Sequence, residues 1–462
     1  MRSVCHASRA AAVVVALTTL AIQASAQAMP SEADVRAIIQ PRVDAGRFAG
    51  VAVGLVSRDN QRRVVAYGPA AGVTPFDGNT VFEIGSITKT FTAAILADMV
   101  RKGDVTLADP VQKFLPAGAS IPQRSGKQIT LLDLATQSSG LPRMPDNMTA
   151  KDKENPYADY TVSEMYAFLA KYTLPRDPGE KYEYSNLGVG LLGHALATRA
   201  GRSYEQLVTE RVLAPLGMKD TRITLTSDLR ARLAPGHTET GKLISNWDLP
   251  TLAGAGALRS TVNDMLTYIR ANADSTATKL GPTLALAHAE RHAGPSATTT
   301  LGLAWHRTRL PSGHTIVWHN GGTGGYRSFT GYDEANGLGV VVLTSTSSSV
   351  DEIGMHLLDA SVPLPSIPKA RKEVTLPIAM LDRYVGVYEV APTFSLTVTR
   401  EGAKLFTQAT NQPKFEIFAE ADDEFFVKVV DAQLSFLHDA SGAVTTLVLH
   451  QNGQNLTAKK QP

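Results

Sequence analysis

The sequence predicts a mixed α/β (α+β) fold that builds one sheet beside a helical region and then continues into a small all-β barrel. β-branched runs near the start of the chain return only after residue 314, and helical patterns dominate the middle third. A stretch with four prolines and a basic cluster follows at residues 363–377, which is typical of an extended spacer. Because 462 residues exceed one ordinary core, a second unit after this spacer is expected.

The elements of the first part follow from caps, turns and apolar periodicity. Ser31 is a capping residue before a helical pattern, and two β-branched runs joined at Asp59 and Asn60 predict a hairpin. A helix is expected from Ser86, and the segment "DEIGMHLLDASV" predicts a closing helix after the last strands. Strands at both ends with helices between them indicate one sheet assembled from distant segments.

The part from residue 378 to residue 462 changes character. The segment "FSLTVTR" alternates apolar and polar residues strictly, as a half-buried strand does. Similar short runs follow, separated by polar or glycine turns, and they predict an all-β module, most simply a small barrel.

The N-terminus has the pattern of a cleaved signal peptide. Arg2 and Arg9 provide a positive segment, an apolar run follows, and the small residues at 24–26 fit a cleavage site. We therefore expect a signal peptide at residues 1–26, an exported protein that is periplasmic or secreted, and no stable membrane insertion after cleavage. No later segment has 18 consecutive apolar residues.

Composition excludes several functions. The only cysteine, Cys5, precedes the apolar run, so the mature chain has no thiol, disulfide or cysteine–zinc chemistry. Loss of residues 1–26 removes two arginines and no acid, which brings the formal net charge from +2 to zero. A neutral chain offers no general attraction for nucleic acid or anionic membrane, so a small-molecule or short-peptide substrate is expected.

The first candidate site is Ser86 with Lys89, three residues later on a predicted helix. Residues at this spacing share one face, so the amine can accept the hydroxyl proton if burial or positive neighbours lower the lysine pKa. The alternative is that the serine only caps the helix and the lysine is only a solvated surface residue. A second Ser-x-x-Lys, from Ser366 to Lys369, is interrupted by proline.

The second candidate is Tyr184 with Asn186, which can project to one side of a turn. A phenol near a lysine can move a proton, and the amide can hold a substrate carbonyl. The alternative is a buried tyrosine beside an asparagine that caps the next helix.

The third candidate is the strand-like segment from His319 through Asn320 and Gly321 to Gly322. Glycine in a strand often marks close approach of a ligand or another backbone. An N–H of this segment could complete an oxyanion hole with the N–H of Ser86. The alternative is a bulged, glycine-rich strand with an incidental histidine.

In this order, the three motifs resemble those of the penicillin-recognising serine hydrolases, and the Tyr-x-Asn form resembles the class C β-lactamase branch with its D-peptidases and esterases. The resemblance covers residues 31–362, so residues 27–362 are expected to form the hydrolase domain. It implies an antiparallel sheet flanked by helices, with the site in a crevice beside a helical region. The final module resembles the lipocalin-like domain attached to some serine peptidases of this superfamily.

The resemblance also implies roles for the residues. Ser86 would be the nucleophile of an acyl-enzyme, with Lys89 and Tyr184 as the shared general base. Asn186, His319, Asn320 and Gly321 would bind substrate, and the N–H groups of Ser86 and Gly322 would form the oxyanion hole. No cofactor or metal is implied. Oligomeric state is left open.

The third motif departs from the family pattern, because most class C β-lactamases have lysine where this chain has His319. A histidine is only partly charged near neutral pH, so weaker binding of carboxylate-bearing β-lactams is expected. β-Lactams, D-amino-acid peptides and esters, the last through a carboxylesterase activity, stay open as substrates.

Other functions remain as alternatives. A non-catalytic penicillin-binding sensor would keep the fold without turnover. The chain lacks the Gly-x-Ser-x-Gly elbow of α/β-hydrolases. The segment that contains His288, Glu290 and His292 lacks the zinc-protease order, so a solvated helix end is the simpler interpretation.

Overall fold

The computed structural model describes residues 29–68, 75–367, 371, 373–392, 394–410, 412–428, 432–451 and 454–461. The predicted signal peptide at residues 1–26 lies outside these residues. Among the helices that the structure describes, none is both long enough and apolar enough to cross a bilayer.

The first part of the chain contains twelve strands in its described residues. They are β1 (Val51–Val56), β2 (Arg62–Tyr67), β3 (Val81–Glu83), β4 (Gln123–Arg124), β5 (Lys127–Gln128), β6 (Arg259–Thr261), β7 (His292–Ala293), β8 (Thr299–Leu301), β9 (His306–Arg309), β10 (Thr315–Gly322), β11 (Arg327–Asp333) and β12 (Gly339–Thr344). Eight of them form one antiparallel sheet in the order β2-β1-β12-β11-β10-β9-β8-β7. The sheet therefore joins an N-terminal hairpin to strands from beyond residue 290, which confirms the prediction of one sheet assembled from distant segments. Strands β7 to β9 precede residue 314, after which the sequence predicted the strands to return.

The described helices of this part lie between and after those strands. They are α1 (Glu32–Asp44), α2 (Thr88–Arg101), α3 (Leu131–Ala135), α4 (Val162–Leu169), α5 (Asn186–Ala200), α6 (Tyr204–Val208), α7 (Ala214–Leu216), α8 (Ser227–Ala231), α9 (Ala253–Gly256), α10 (Val262–Ala273), α11 (Gly281–His288) and α12 (Asp351–Leu358). Short 3₁₀ turns occur at Gly85–Ile87 and Val111–Phe114, and a π-helical segment at Thr209–Leu213.

Helices cover both faces of the central strands. Along β1, Ala52 and Val56 belong to the core shared with α2 and α10, whereas Val51, Val53 and Leu55 belong to the core shared with α1 and α12. All six residues of β1 and all six of β12 are buried. This two-sided burial explains why both strands are continuous apolar runs rather than alternating ones.

Helix α2 is the centre of the helical region. Its residues from Thr88 to Met99 are all buried, so it is enclosed by protein on every side. Its neighbours include α5, α9 and α11. Any polar group on this helix is therefore removed from water unless it faces an internal cleft.

The C-terminal part is a closed antiparallel barrel preceded by the short helix α13 (Ile378–Tyr384). Its strands are β13 (Gly386–Ala391), β14 (Phe394–Glu401), β15 (Lys404–Ala409), β16 (Lys414–Ala421), β17 (Glu424–Val427), β18 (Ala432–His438), β19 (Val444–Gln451) and β20 (Gln454–Lys460). Closure leaves no free sheet edge among the described strands of the barrel. Buried aromatic rings of Tyr384, Tyr388, Phe425 and Phe436 pack against one another in its core. The all-β barrel is confirmed, and α13 is an addition that the strand pattern did not predict.

Candidate active site

Ser86 lies in a tight turn that packs against strand β10, which forms the floor of a cleft. The turn follows β3, and α2 begins two residues after the serine. A Cβ atom on Gly321 of β10 would clash with the carbonyl oxygen of Ile84, and one on Gly85 would lie 2.6 Å from Gly322 N. Gly85 also has φ +48°, which favours glycine. The glycines of β10 are thus explained by direct backbone contact with the turn that carries Ser86.

Lys89 is fully buried and its amine contacts three oxygens. Its Nζ lies 2.9 Å from Ser86 Oγ, 2.8 Å from Asn186 Oδ1 and 2.6 Å from the carbonyl oxygen of Ala255. These contacts join α2, α5 and α9 at one point. Burial lowers the lysine pKa well below its usual value, and the positive charge of Arg143 lowers it further.

This arrangement determines which way protons point when the lysine is neutral. The oxygens of Asn186 and Ala255 are amide carbonyls, so they can only accept hydrogen bonds. A neutral amine has two N–H groups, which these two oxygens occupy, and one lone pair, which then faces the hydroxyl of Ser86. The geometry therefore presents a base to the serine O–H.

Tyr184 is the second group on the serine oxygen. Its hydroxyl donates to Ser86 Oγ at 2.7 Å. Burial raises the tyrosine pKa well above its usual value, although the bond to Ser86 opposes this. The phenol is therefore a neutral donor over the ordinary pH range. Its ring also lies 5.0 Å from Lys89 Nζ and 5.0 Å from Arg143 Cζ.

Asn186 does not cap the helix it begins. Ser185 is the N-cap, and its hydroxyl accepts from Gly188 N at 2.8 Å. Asn186 is the first helical residue, with Oδ1 on Lys89 and Nδ2 3.6 Å from Met144 Sδ. The capping alternative is therefore wrong, and the asparagine side chain lines the cleft.

His319 and Asn320 point to opposite faces of β10. The His319 side chain is fully buried, and Nε2 has no hydrogen-bond partner among the described residues. Its pKa lies well below the usual value because of burial, His306 and Lys89, so it is a neutral imidazole. It does not line the cleft surface, whereas Asn320 does, and Asn320 Nδ2 donates to Asp351 Oδ2 at 2.6 Å.

The cleft above Ser86 has a volume of about 520 Å³. It is lined by Ser86, Arg143, Tyr157, Tyr182, Tyr184, Asn186, Trp247, His306, Trp318, Asn320, Gly321, Gly322, Thr323 and Arg327. The sequence motifs identified six of these residues, including Gly321 and Gly322 of β10, but not the arginines or the aromatic side chains other than Tyr184. Those side chains come from separate loops and strands, and no local pattern marks them.

The histidines considered for a metal site have ordinary structural partners. His288 ends α11, with Nε2 2.8 Å from Asn272 Oδ1 and Nδ1 2.9 Å from the hydroxyl of Tyr332. His292 lies in β7. Within the described residues, no group of three or more His, Cys, Asp or Glu side chains could hold a metal ion.

The chain is also similar to known proteins. The family model described as Beta-lactamase matches residues 35–362, and a domain of unknown function matches residues 370–460. The chain is 32% identical over 303 residues to the D-alanyl-D-alanine-carboxypeptidase/endopeptidase AmpH of Escherichia coli, covering 62% of this chain and 77% of that protein. It is 27% identical over 352 residues to a β-lactamase of Pseudomonas fluorescens, covering 67% and 92%.

A solved structure also resembles the fold. It is a β-lactamase/D-alanine carboxypeptidase from Yersinia pestis complexed with citrate, with a TM-score of 0.62 and 24% identity over 72% of this chain and 97% of that one. At this identity the likeness supports the fold alone.

Proposed function

The chain belongs to the β-lactamase family of penicillin-recognising serine hydrolases, and from this premise we propose that it cleaves an amide through an acyl-enzyme on Ser86. The observation that supports the proposal is the pair of hydrogen bonds on one oxygen. Lys89 Nζ and the Tyr184 hydroxyl both contact Ser86 Oγ, at 2.9 and 2.7 Å. Capping would not require either contact.

Acylation follows from these contacts. The neutral amine of Lys89 takes the proton of Ser86 as Oγ attacks the substrate carbonyl, and the amine becomes an ammonium. The Asn186 side chain lines the cleft, and its Nδ2 would donate to a substrate carbonyl. The N–H groups of Ser86 and Gly322 stabilise the tetrahedral oxyanion.

The same groups complete the turnover. As the C–N bond breaks, the leaving nitrogen receives the proton of the Tyr184 hydroxyl, and the ammonium of Lys89 passes its proton directly to the resulting phenolate, since both groups lie at Ser86 Oγ. The amine of Lys89 is then neutral again. Tyr184 and Lys89 next remove a proton from the water that attacks the ester, and Ser86 leaves with a proton.

We place the enzyme in the class C branch, with a β-lactam or a D-amino-acid peptide as the substrate. The relatives named above are a carboxypeptidase/endopeptidase and a β-lactamase. A carboxylesterase is the second candidate, because the neutral His319 supplies no cation for the carboxylate that such amides carry. A non-catalytic penicillin-binding sensor would acylate without turnover.

The domain plan is part of the proposal. Residues 1–26 form a signal peptide for export, and residues 27–362 form the hydrolase domain. Residues 363–377 form the linker, and residues 378–462 form a lipocalin-like domain. The family model that matches residues 370–460 overlaps this last unit.

Covalent labelling tests the nucleophile. Intact-mass analysis after incubation with a fluorophosphonate or a β-lactam should show one adduct on the wild-type chain and none on Ser86→Ala. The exposed Ser245→Ala is the matched control and should label normally. An adduct on Ser86→Ala would refute the assignment.

A substrate panel then separates the candidates. Nitrocefin, a D-alanyl-D-alanine peptide and a short-chain p-nitrophenyl ester should be compared by kcat/KM. Preference for the two amides supports the proposal, preference for the ester supports the esterase, and labelling without turnover of any of them supports the sensor.

A further inference from the structure

The cleft above Ser86 carries positive charge without any acid in its lining. Arg143 and Arg327 are its charged lining residues, and no Asp or Glu side chain of the described residues lines it. Tyrosine and tryptophan side chains occupy much of the remaining wall. A cation on an aromatic wall is poorly screened by water, so its attraction for an anion is strengthened.

The two arginines differ in the hydrogen bonds that their guanidinium groups already make. Arg327 Nη1 donates to the carbonyl oxygens of Thr323 and Tyr326, at 2.8 and 2.9 Å, so this guanidinium holds the loop after β10. Arg143 has no side-chain hydrogen bond and no ion pair within the described part of the chain. Its guanidinium is therefore available to a ligand.

The backbone of Arg143 is nevertheless held firmly. Its carbonyl oxygen accepts from the N–H groups of Asn186 and Leu187, at 3.0 and 3.3 Å, at the start of α5. Its guanidinium carbon lies 5.0 Å from the ring centre of Tyr184. The side chain thus begins beside Asn186 and lies over the ring whose hydroxyl contacts the serine.

The floor strand supplies no alternative cation. His319 is neutral and buried behind the surface of the cleft. A substrate anion would therefore meet its cation on the wall formed by α5 and the Arg143 loop rather than on β10.

We propose that Arg143 is a specificity-determining residue that binds a carboxylate on the acyl part of the substrate. The inference rests on the proposed function, because the acyl part is located by the Asn186 side chain that shares this wall. A guanidinium suits this role, since its planar fork matches a carboxylate with two parallel hydrogen bonds. The substrate class is then an acyl group with an anionic arm.

Matched esters test the inference. The p-nitrophenyl monoester of glutaric acid and p-nitrophenyl pentanoate have acyl chains of equal length and the same leaving group, and they differ only in a terminal carboxylate. The measured quantity is the ratio of their kcat/KM values, anionic over neutral. The ratio cancels any effect that Arg143 has on the basicity of Lys89.

The expected result is a fall of this ratio by about 10- to 100-fold in Arg143→Met, the usual range for losing hydrogen bonds to a charged group. In Arg143→Lys the ratio should fall less than in Arg143→Met, because lysine keeps the positive charge but cannot form two parallel hydrogen bonds to a carboxylate. Arg101→Met, which removes an exposed arginine at the far end of α2, should leave ratio and activity unchanged.

Two outcomes overturn the inference: an unchanged ratio in Arg143→Met, or an equal fall in Arg101→Met, which would indicate only net charge. Thermal unfolding confirms that the variants are folded. Failure of the proposed function has a separate signature, since Ser86→Ala would then hydrolyse both esters whatever Arg143 does.

Discussion

Replacement of Tyr184 by phenylalanine tests the proton path most directly. The change removes one hydroxyl that donates to Ser86 Oγ at 2.7 Å. It keeps the aromatic ring against which Lys89 and Arg143 lie, each at 5.0 Å. Lys89 Nζ remains 2.9 Å from the serine, so the base persists without its partner.

The Tyr184→Phe substitution is expected to slow the chemical step and to change the free energy of unfolding only slightly. Loss of a positioned acid–base group slows the chemical step by about 10²–10⁴, which corresponds to roughly 3–5 kcal/mol of barrier. The free energy of unfolding should change by only about 1 kcal/mol, because Ser86 Oγ keeps its bond to Lys89.

Stopped-flow acylation by a chromogenic ester measures the step, with the released p-nitrophenol as the signal. Tyr182→Phe is the matched control: this tyrosine lines the same cleft, and no hydrogen bond of its hydroxyl is seen in the described structure. Acylation should rise with pH through the lowered pKa of Lys89 in wild type and in Tyr184→Phe alike, because only the neutral amine accepts the proton.

An unchanged acylation rate in Tyr184→Phe would refute the reasoning. Equal slowing in Tyr182→Phe would also refute it, since the effect would then come from cleft polarity rather than from the bond to Ser86.

Three further predictions concern the framework of the site. Gly85→Ala should lower both melting temperature and kcat/KM, because it combines positive-φ strain of about 1–2 kcal/mol with a clash against the floor strand; Gly103→Ala, with φ +76° and open space, should show the strain alone. Asp351→Asn should abolish an inflection of kcat/KM near pH 6. Burial raises the Asp351 pKa to about 6, and protonation of this carboxyl changes the hydrogen bond that it accepts from the Asn320 side chain lining the cleft. Persistence of the inflection in Asp351→Asn would show that another group titrates. Burial lowers the His288 pKa to about 3, so the unfolded state binds the proton first and stability should fall as pH decreases from 6.5 towards 3; a melting temperature with the same pH slope in His288→Gln would contradict this.

Local sequence determined the elements and most of the chemistry. Apolar periodicity located the hairpin, the helix after Ser86 and the strands of the barrel, because each depends on neighbours within a few residues. The three motifs also identified Ser86, Lys89, Tyr184 and Asn186, which the structure brings together on one hydrogen-bond network. No single motif suffices, because each has an ordinary structural alternative; the order of the three motifs along the chain is what identifies them.

Tertiary structure decided which way those residues face and what surrounds them. The alternation of β10 sends His319 into the interior and Asn320 to the cleft, and only the packing on both faces of the sheet sets that choice. Ser185 rather than Asn186 caps α5, which leaves the asparagine amide free for Lys89 and the cleft. Arg143 enters the cleft from a loop with no motif of its own, because the contacts that place it there join segments distant in sequence.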